Sequence, residues 1–210
     1  MKVENKEMYH LHKNTVFNDI WTKGNEIIID DNFNSYYSII FNFFNTSVKT
    51  TDGLESFDQI IDSYLKEEQD KEMYIRMLKE ARKIIVGMNV FKREMALEEI
   101  RKELYPSLPS RKHSIWLCDE KGIDFWKKEL IGEVSDELDL FKVSVSGNLF
   151  KSSDSFIPSN ENDYGKNLKE AKNYWNPKFE TEEEEKKAEY LFQGRVKILE
   201  KIDTIKNKKC

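Results

Sequence analysis

The sequence predicts an α+β domain, with strands toward both ends of the chain and a helical block between them. Three observations lead there. Near the start, Met8-Tyr9-His10-Leu11-His12 is short, aromatic and alternating, the period-two pattern of a strand. From Leu54 to Leu104 there is no proline and a single glycine, Gly87, while apolar residues recur three and four apart, the period of helices. After Tyr105-Pro106, which closes that block, strand-like alternation returns and runs to Ile202.

Bulk properties fit one domain spanning residues 1–210. Apolar content is 39%, but 13 Phe, 9 Tyr and 4 Trp supply enough buried surface for a core without metals or disulfides. Charged residues make up 35% of the chain while the net charge is only −5, so both signs are interspersed and no global field draws the protein to nucleic acid or membrane. A local basic patch would still suffice for a nucleic-acid contact. Cys118 and Cys210 make no disulfide framework. Met1 to Met8 lacks the apolar centre of a signal peptide, and no apolar run is long enough to span a bilayer. A cytoplasmic protein without a membrane partner is expected.

Taken in order, Asn14 or Thr15 caps a brief helix through Trp21 that ends at Gly24. Glu26 to Asp30, with three consecutive isoleucines, reads as a strand buried on both faces. Tyr36, Ile39, Ile40, Phe43 and Phe44 recur at helical spacing between Asn34 and Asn45. The block 54–105 carries two stripes, Ile60/Ile61/Tyr64/Leu65 and Met73/Met77/Leu78/Ala81/Ile84/Ile85, and is expected to form two or three helices packed on the sheet as an insertion. Lys112 to Cys118 is a strand, followed by a helix over Asp124 to Leu130 with Phe125, Trp126 and Leu130 inward. Leu138 to Val145 is the longest alternating run, ended by a turn at Ser146-Gly147-Asn148. Ser152 to Asp163 reads as a surface loop and Lys166 to Trp175 as a helix with Leu168, Ala171 and Trp175 on one side. The acidic run Glu182 to Glu185 is a solvated loop or first helical turn, and Arg195 to Ile202, after a turn at Gly194, is the last strand. Lys206 to Cys210 is a short basic tail.

Three segments carry candidate chemistry. On the first strand Tyr9 and Leu11 share one face, His10 and His12 the other. These histidines either face solvent on an edge strand or place His10 in a cleft as a donor to a sugar hydroxyl. A metal site from His10, His12 and His113 lacks any further ligand signature. Pro109-Ser110-Arg111 opens the middle strand and is either a plain turn or a source of functional groups: Ser110 to brace an acid, Arg111 to meet a phosphate with its planar fork. Glu189 precedes the last strand, competing with Glu182 to Glu185 and Glu200. The glycines form no phosphate-binding loop. Cys118 and His113 share one strand pattern, which disfavours a nucleophile pair, and Arg76, Lys79, Arg82, Lys83, Lys92 and Arg93 read as a solvated helix face.

Tyr9-His10 near the start, Gly24 before an isoleucine strand, Asn32 to Tyr36 opening a helix, Pro109-Ser110-Arg111, the strand Phe141 to Val145, Ala171 to Trp175 and the late Glu189 follow an order that resembles the ADP-ribosyltransferase superfamily, in particular a bacterial family within it with a His…Ser…Glu site. The resemblance covers nearly the whole chain, with the central helices loosely matched. It implies a split β-sheet with block 54–105 as an insertion, and NAD as co-substrate. Glu189, His10 and Ser110 would be catalytic: Glu189 accepting from the ribose 2′-hydroxyl and stabilising positive charge that develops on the sugar, His10 holding a ribose hydroxyl, Ser110 orienting Glu189. Tyr9, His10, Leu11, Tyr36, Ser110 and Arg111 would line the NAD site, with the Leu11 backbone on the carboxamide, Tyr36 or Tyr37 stacked on nicotinamide and Arg111 at the pyrophosphate. Adjacent positions on a helix cannot both face one ligand, so Tyr36 and Tyr37 depart from the separated tyrosine pair of the diphtheria-toxin-like branch. The implied acceptor is a macromolecule, protein or nucleic acid, in a bacterial toxin or phage-defence effector with a neutralising antitoxin protein as partner. Two rival readings are a non-enzymatic interaction protein using the helices of Leu54 to Leu104, and a metal-dependent hydrolase using the histidines.

Overall fold

The computed structural model describes residues 1–13, 20–30, 47–50, 53–56, 71–131, 137–159 and 163–207. It is α+β with an antiparallel sheet. The expected helices over Asn14–Trp21, Asn34–Asn45 and the Ile60–Leu65 stripe fall largely or wholly outside those residues.

Two long strands, β6 (Glu137–Ser153) and β7 (Ala188–Lys206), pair antiparallel along their whole length and form the spine of the sheet. The reversals expected at Ser146-Gly147-Asn148 and at Gly194 are absent: both glycines lie inside strands, opposite one another. Their backbones come so close that a Cβ on Gly194 would sit 2.6 Å from the Ser146 carbonyl oxygen and 2.8 Å from the Gly147 Cα. Gly194 also takes a φ of 140°, so glycine serves here for close approach within a ladder. The alternating run read as ending at Val145 therefore continues eight residues further, through Ser153. Ser152 and Ser153, expected in a surface loop, are its buried last residues.

β1 (Lys2–Lys13) pairs with β6, while β7 pairs on its other edge first with β5 (Ile115–Leu117) and then with β2 (Glu26–Ile29). Tyr9 of β1 also bridges Cys118, just after β5. Thus β1, β6, β7 and β5 form a closed circuit, curled with the help of bulges in β7 at Ile202, opposite Leu140/Phe141, and at Leu199, opposite Lys142/Val143. The inside of the curl holds Met8, Trp21, Ile27, Ile115, Leu117, Phe141, Val143, Tyr190, Phe192 and Val196. β2 is buried on one face only: Ile27 and Ile29 point in, and Ile28 is 59% exposed, against the expectation of two buried faces.

The described parts of the helical block are a strand and one long helix. Gly53–Ser56 is a strand, β4, paired with β3 (Ser47–Thr50), and residues 71–104 form one 34-residue helix, α1, running through Gly87. Helical spacing does not reveal where one helix ends and the next begins when no proline or cap intervenes. The C-terminal half of α1 buries Leu97 and Ile100 in a second cluster on the outer face of the sheet, with Phe150, Ala171, Tyr174, Trp175 and Leu191. α2 (Ile123–Leu130) lies near the expected helix but buries none of its residues fully. α3 (Tyr164–Trp175), capped by Asp163, packs on α1, and its Trp175 Nε1 donates to the Leu97 carbonyl at 2.7 Å. The acidic run forms α4 (Glu182–Lys186), closed by a reciprocal Thr181/Glu184 capping box.

Candidate active site

Alternation along β7 sends Tyr190 and Phe192 into the curl and leaves Glu189 and Leu191 on the outer face, under α1 and α3. There Glu189 is 3% exposed, so it is the second residue of a buried strand and not a surface acid beside one. Opposite it, the turn at residues 111–113 ahead of β5 aims Arg111 at the same place. Arg111 Nη1 donates to Glu189 Oε1 at 2.5 Å and to the Tyr174 hydroxyl at 2.6 Å. Its Nε donates to Glu94 Oε2 at 2.8 Å. The Tyr174 hydroxyl donates in turn to Glu189 Oε1. The guanidinium lies 4.9 Å from the Tyr174 ring centroid and 5.6 Å from that of Trp116.

Glu94 and Glu98 lie one turn apart on α1 and therefore on one face. Glu98 takes the Ser110 hydroxyl at 3.0 Å and a forked contact from Arg101 that includes Nη2 at 2.6 Å. Ser152 holds the backbone of Tyr174 through a 2.8 Å bond to its carbonyl. Glu94, Glu98, Arg111 and Glu189 are all under 6% exposed. Removing such charges from water costs several kcal/mol per ion, offset only by close pairing, so the network is a poor source of stability per se. What it provides is orientation. Burial holds the Tyr174 phenol well above its usual range, with Glu189 pushing the same way and Arg111 opposing, so the hydroxyl stays a donor. Both bonds to Glu189 fall on Oε1. Oε2 has no hydrogen bond among the described residues.

β1 meets β5 at one bridge, Tyr9 N–H to Cys118 O at 3.0 Å and the reciprocal bond at 2.9 Å. Leu11 projects its N–H and C=O to the same side as Tyr9, toward β5. Its expected strand partner there is occupied: the Trp116 carbonyl accepts instead from His10 Nδ1 at 2.9 Å. The strands thus part at Leu11. The His10 ring stacks on Trp21 at 4.4 Å, and burial lowers its pKa to about 4, with the Trp116 carbonyl opposing and His12 adding to the fall. At neutral pH His10 is an uncharged donor at Nδ1 and an acceptor at Nε2.

Three of the segments singled out in the sequence therefore adjoin: β1 with His10, the Pro109–Cys118 stretch and the start of β7. Their side chains do not all converge. His10 shares the inner face with Met8, whereas Glu189 is on the outer face. Ser110 bonds Glu98 and not Glu189; Arg111 and Tyr174 orient the acid instead. Arg111 is 4% exposed and surrounded by protein partners, which does not suit a pyrophosphate. Tyr9 is half-buried on the face opposite His10, and Tyr36 and Tyr37 lie outside the described residues. Among the described residues no three His, Cys, Asp or Glu side chains gather as a metal site, so His10, His12 and His113 do not meet with an acid there. The Cys118 thiol is buried and pushed up to about 12, which leaves it unreactive. Sequence reasoning missed Glu94, Glu98 and Tyr174. The available signal was the pair of acids four apart, Glu94 and Glu98, that brackets the apolar Met95-Ala96-Leu97.

The fold and site define an α+β protein with a buried glutamate held by an arginine and a tyrosine on the outer face of a curled antiparallel sheet. A family model described as Protein of unknown function (DUF2441) matches residues 8–204, and the chain belongs to that family. All the residues of the network lie inside the match. No curated protein matches the sequence.

Proposed function

We propose that this protein is an NAD-dependent ADP-ribosyltransferase acting on a macromolecule of the bacterial cell, as a toxin or phage-defence effector. The observation that carries the reading is Glu189: a buried carboxylate fixed through Oε1, with Oε2 left over, on a strand flanked by the segment where β1 and β5 part. On this reading the Leu11 backbone takes the amide end of NAD and Glu189 Oε2 the ribose, while Arg111, paired to Glu94, Tyr174 and Glu189, is not at the phosphates.

NAD supplies an ADP-ribosyl group, released as the bond from ribose C1′ to the nicotinamide nitrogen breaks and its electron pair leaves with nicotinamide. Glu189 Oε2 accepts from the ribose 2′-hydroxyl and stabilises positive charge on the sugar. Arg111 and Tyr174 keep that carboxylate from rotating. Neutral His10 holds the edge of β5 through Trp116, so it acts as a positioning residue for the opening between β1 and β5. Incubation of the purified protein with labelled NAD and fractionated lysate tests the reading. Glu189→Gln keeps the shape and removes the charge, and transfer should fall by about 100-fold or more, as for loss of one charge-stabilising group. Undiminished transfer in that variant would sink the assignment.

A second reading, a helical interaction protein, is favoured by the N-terminal half of α1, where Tyr74, Leu78 and Ile85 are 51%, 70% and 59% exposed. On that reading Leu78→Lys with Ile85→Lys changes the sedimentation behaviour of the protein and Glu189→Gln changes nothing.

A further inference from the structure

We infer that an open groove between the C-terminal end of α1 and α3 binds single-stranded nucleic acid. The groove encloses about 460 Å³ and is lined by Tyr105, Phe156, Lys172, Asn173, Asn176 and Lys178. A second groove of about 350 Å³ shares Phe156 and Asn173 with it, so the two form one trough along α3. Its chemistry has two halves. Tyr105 and Phe156 offer aromatic faces, and Phe156 is braced edge-on by Phe179 at 5.4 Å. Around them stand two ammonium groups and two side-chain amides, and among the described residues none of Lys172, Asn173, Asn176 or Lys178 has a side-chain hydrogen bond or ion pair. Among the described residues no acid lines the first groove, and Glu170 in the second is taken up by the Ser159 N–H at 2.9 Å.

Aromatic faces for bases and unpaired lysines for phosphates are the two components of sequence-tolerant single-strand binding. A local charge of this sign on a chain of net charge −5 marks a patch and not a property of the whole surface. An acidic peptide would engage the lysines but has no use for the aromatic faces. An open trough also suits a polymer better than an enclosed mononucleotide. That such a strand is the acceptor rests on the proposed transferase activity; its binding does not.

The test uses the full chain without NAD and follows the fluorescence anisotropy of labelled oligothymidylate and oligouridylate against salt. Lys172→Ala with Lys178→Ala, both exposed and outside the catalytic network, should weaken binding about 25-fold at about 0.1 M salt and flatten the log–log salt slope by about 1.4, the share of two phosphate contacts. Lys121→Ala with Lys128→Ala, on another exposed surface, should leave both unchanged. The inference is overturned by an absence of binding, by equal losses in the two double variants, or by polyglutamate of matched charge displacing the label as well as unlabelled oligothymidylate does. Label transfer from NAD to protein without oligonucleotide binding would overturn it while leaving the transferase reading intact.

Discussion

Replacing Arg111 by methionine tests whether the buried network is one unit. The substitution keeps a long side chain in a site that is 4% exposed but takes the shared cation away from Glu94 and Glu189, themselves 0% and 3% exposed. Breaking a buried pair by removing one partner costs about 3–5 kcal/mol; here Glu189 is left with neither water nor a counter-ion, while Glu94 keeps Arg93 Nη2 at 3.1 Å. For a chain of this length each kcal/mol shifts the melting temperature by about 2–4 °C, so a fall of about 6–20 °C is expected. Urea denaturation followed by circular dichroism reads the same loss as a lower midpoint at unchanged slope. The triple variant Arg111→Met, Glu94→Gln, Glu189→Gln leaves no buried charge in the trio and should recover a good part of the stability. If the single variant loses less than about 1 kcal/mol, or the triple is no better than the single, the three side chains are not energetically coupled as their distances imply.

Two further outcomes follow from the same structure. His10 has a folded pKa of about 4 against an ordinary 6.5, so the folded state binds fewer protons than the unfolded one between those values; its contribution is fully present above pH 6.5 and is lost as pH falls toward 4, by about 3 kcal/mol in all. Urea titrations of the wild type and His10→Gln across that window should show a steeper pH dependence in the wild type, and identical slopes would refute the assignment. Gly194→Ala places a Cβ 2.6 Å from the Ser146 carbonyl oxygen at a φ of 140°, so a destabilisation of about 2 kcal/mol or more is expected by denaturant melting; a neutral result would mean that the β6–β7 crossing is looser than described.

Much of the fold was legible because periodicity is a local property. The alternation in β1, β6 and β7 and the period of α3 are written in which side chains must be apolar, and the Tyr105-Pro106 stop of α1 follows from proline sterics. Glycine was misread because its permissiveness has more than one use: Gly147 and Gly194 signalled reversals but serve a close crossing of two long strands. Within the block 54–105, residues 54–56 were misread for the opposite reason, since no punctuation separates that strand from the helical pattern; among the described residues the rest is one unbroken helix over residues 71–104.

The sequence by itself determined the α+β class, the alternation of β1 and of β6 as far as Val145, and the apolar side of α3. Only the tertiary structure decided which of the candidate side chains meet. Strand parity sends His10 into the curl and Glu189 out of it, and that parity depends on pairing partners distant in sequence, Tyr9 with Cys118 and Leu117 with Tyr190. The partners of Arg111 come from α1, α3 and β7, three elements that no spacing along the chain brings together, because burying three charges demands that they be matched in space.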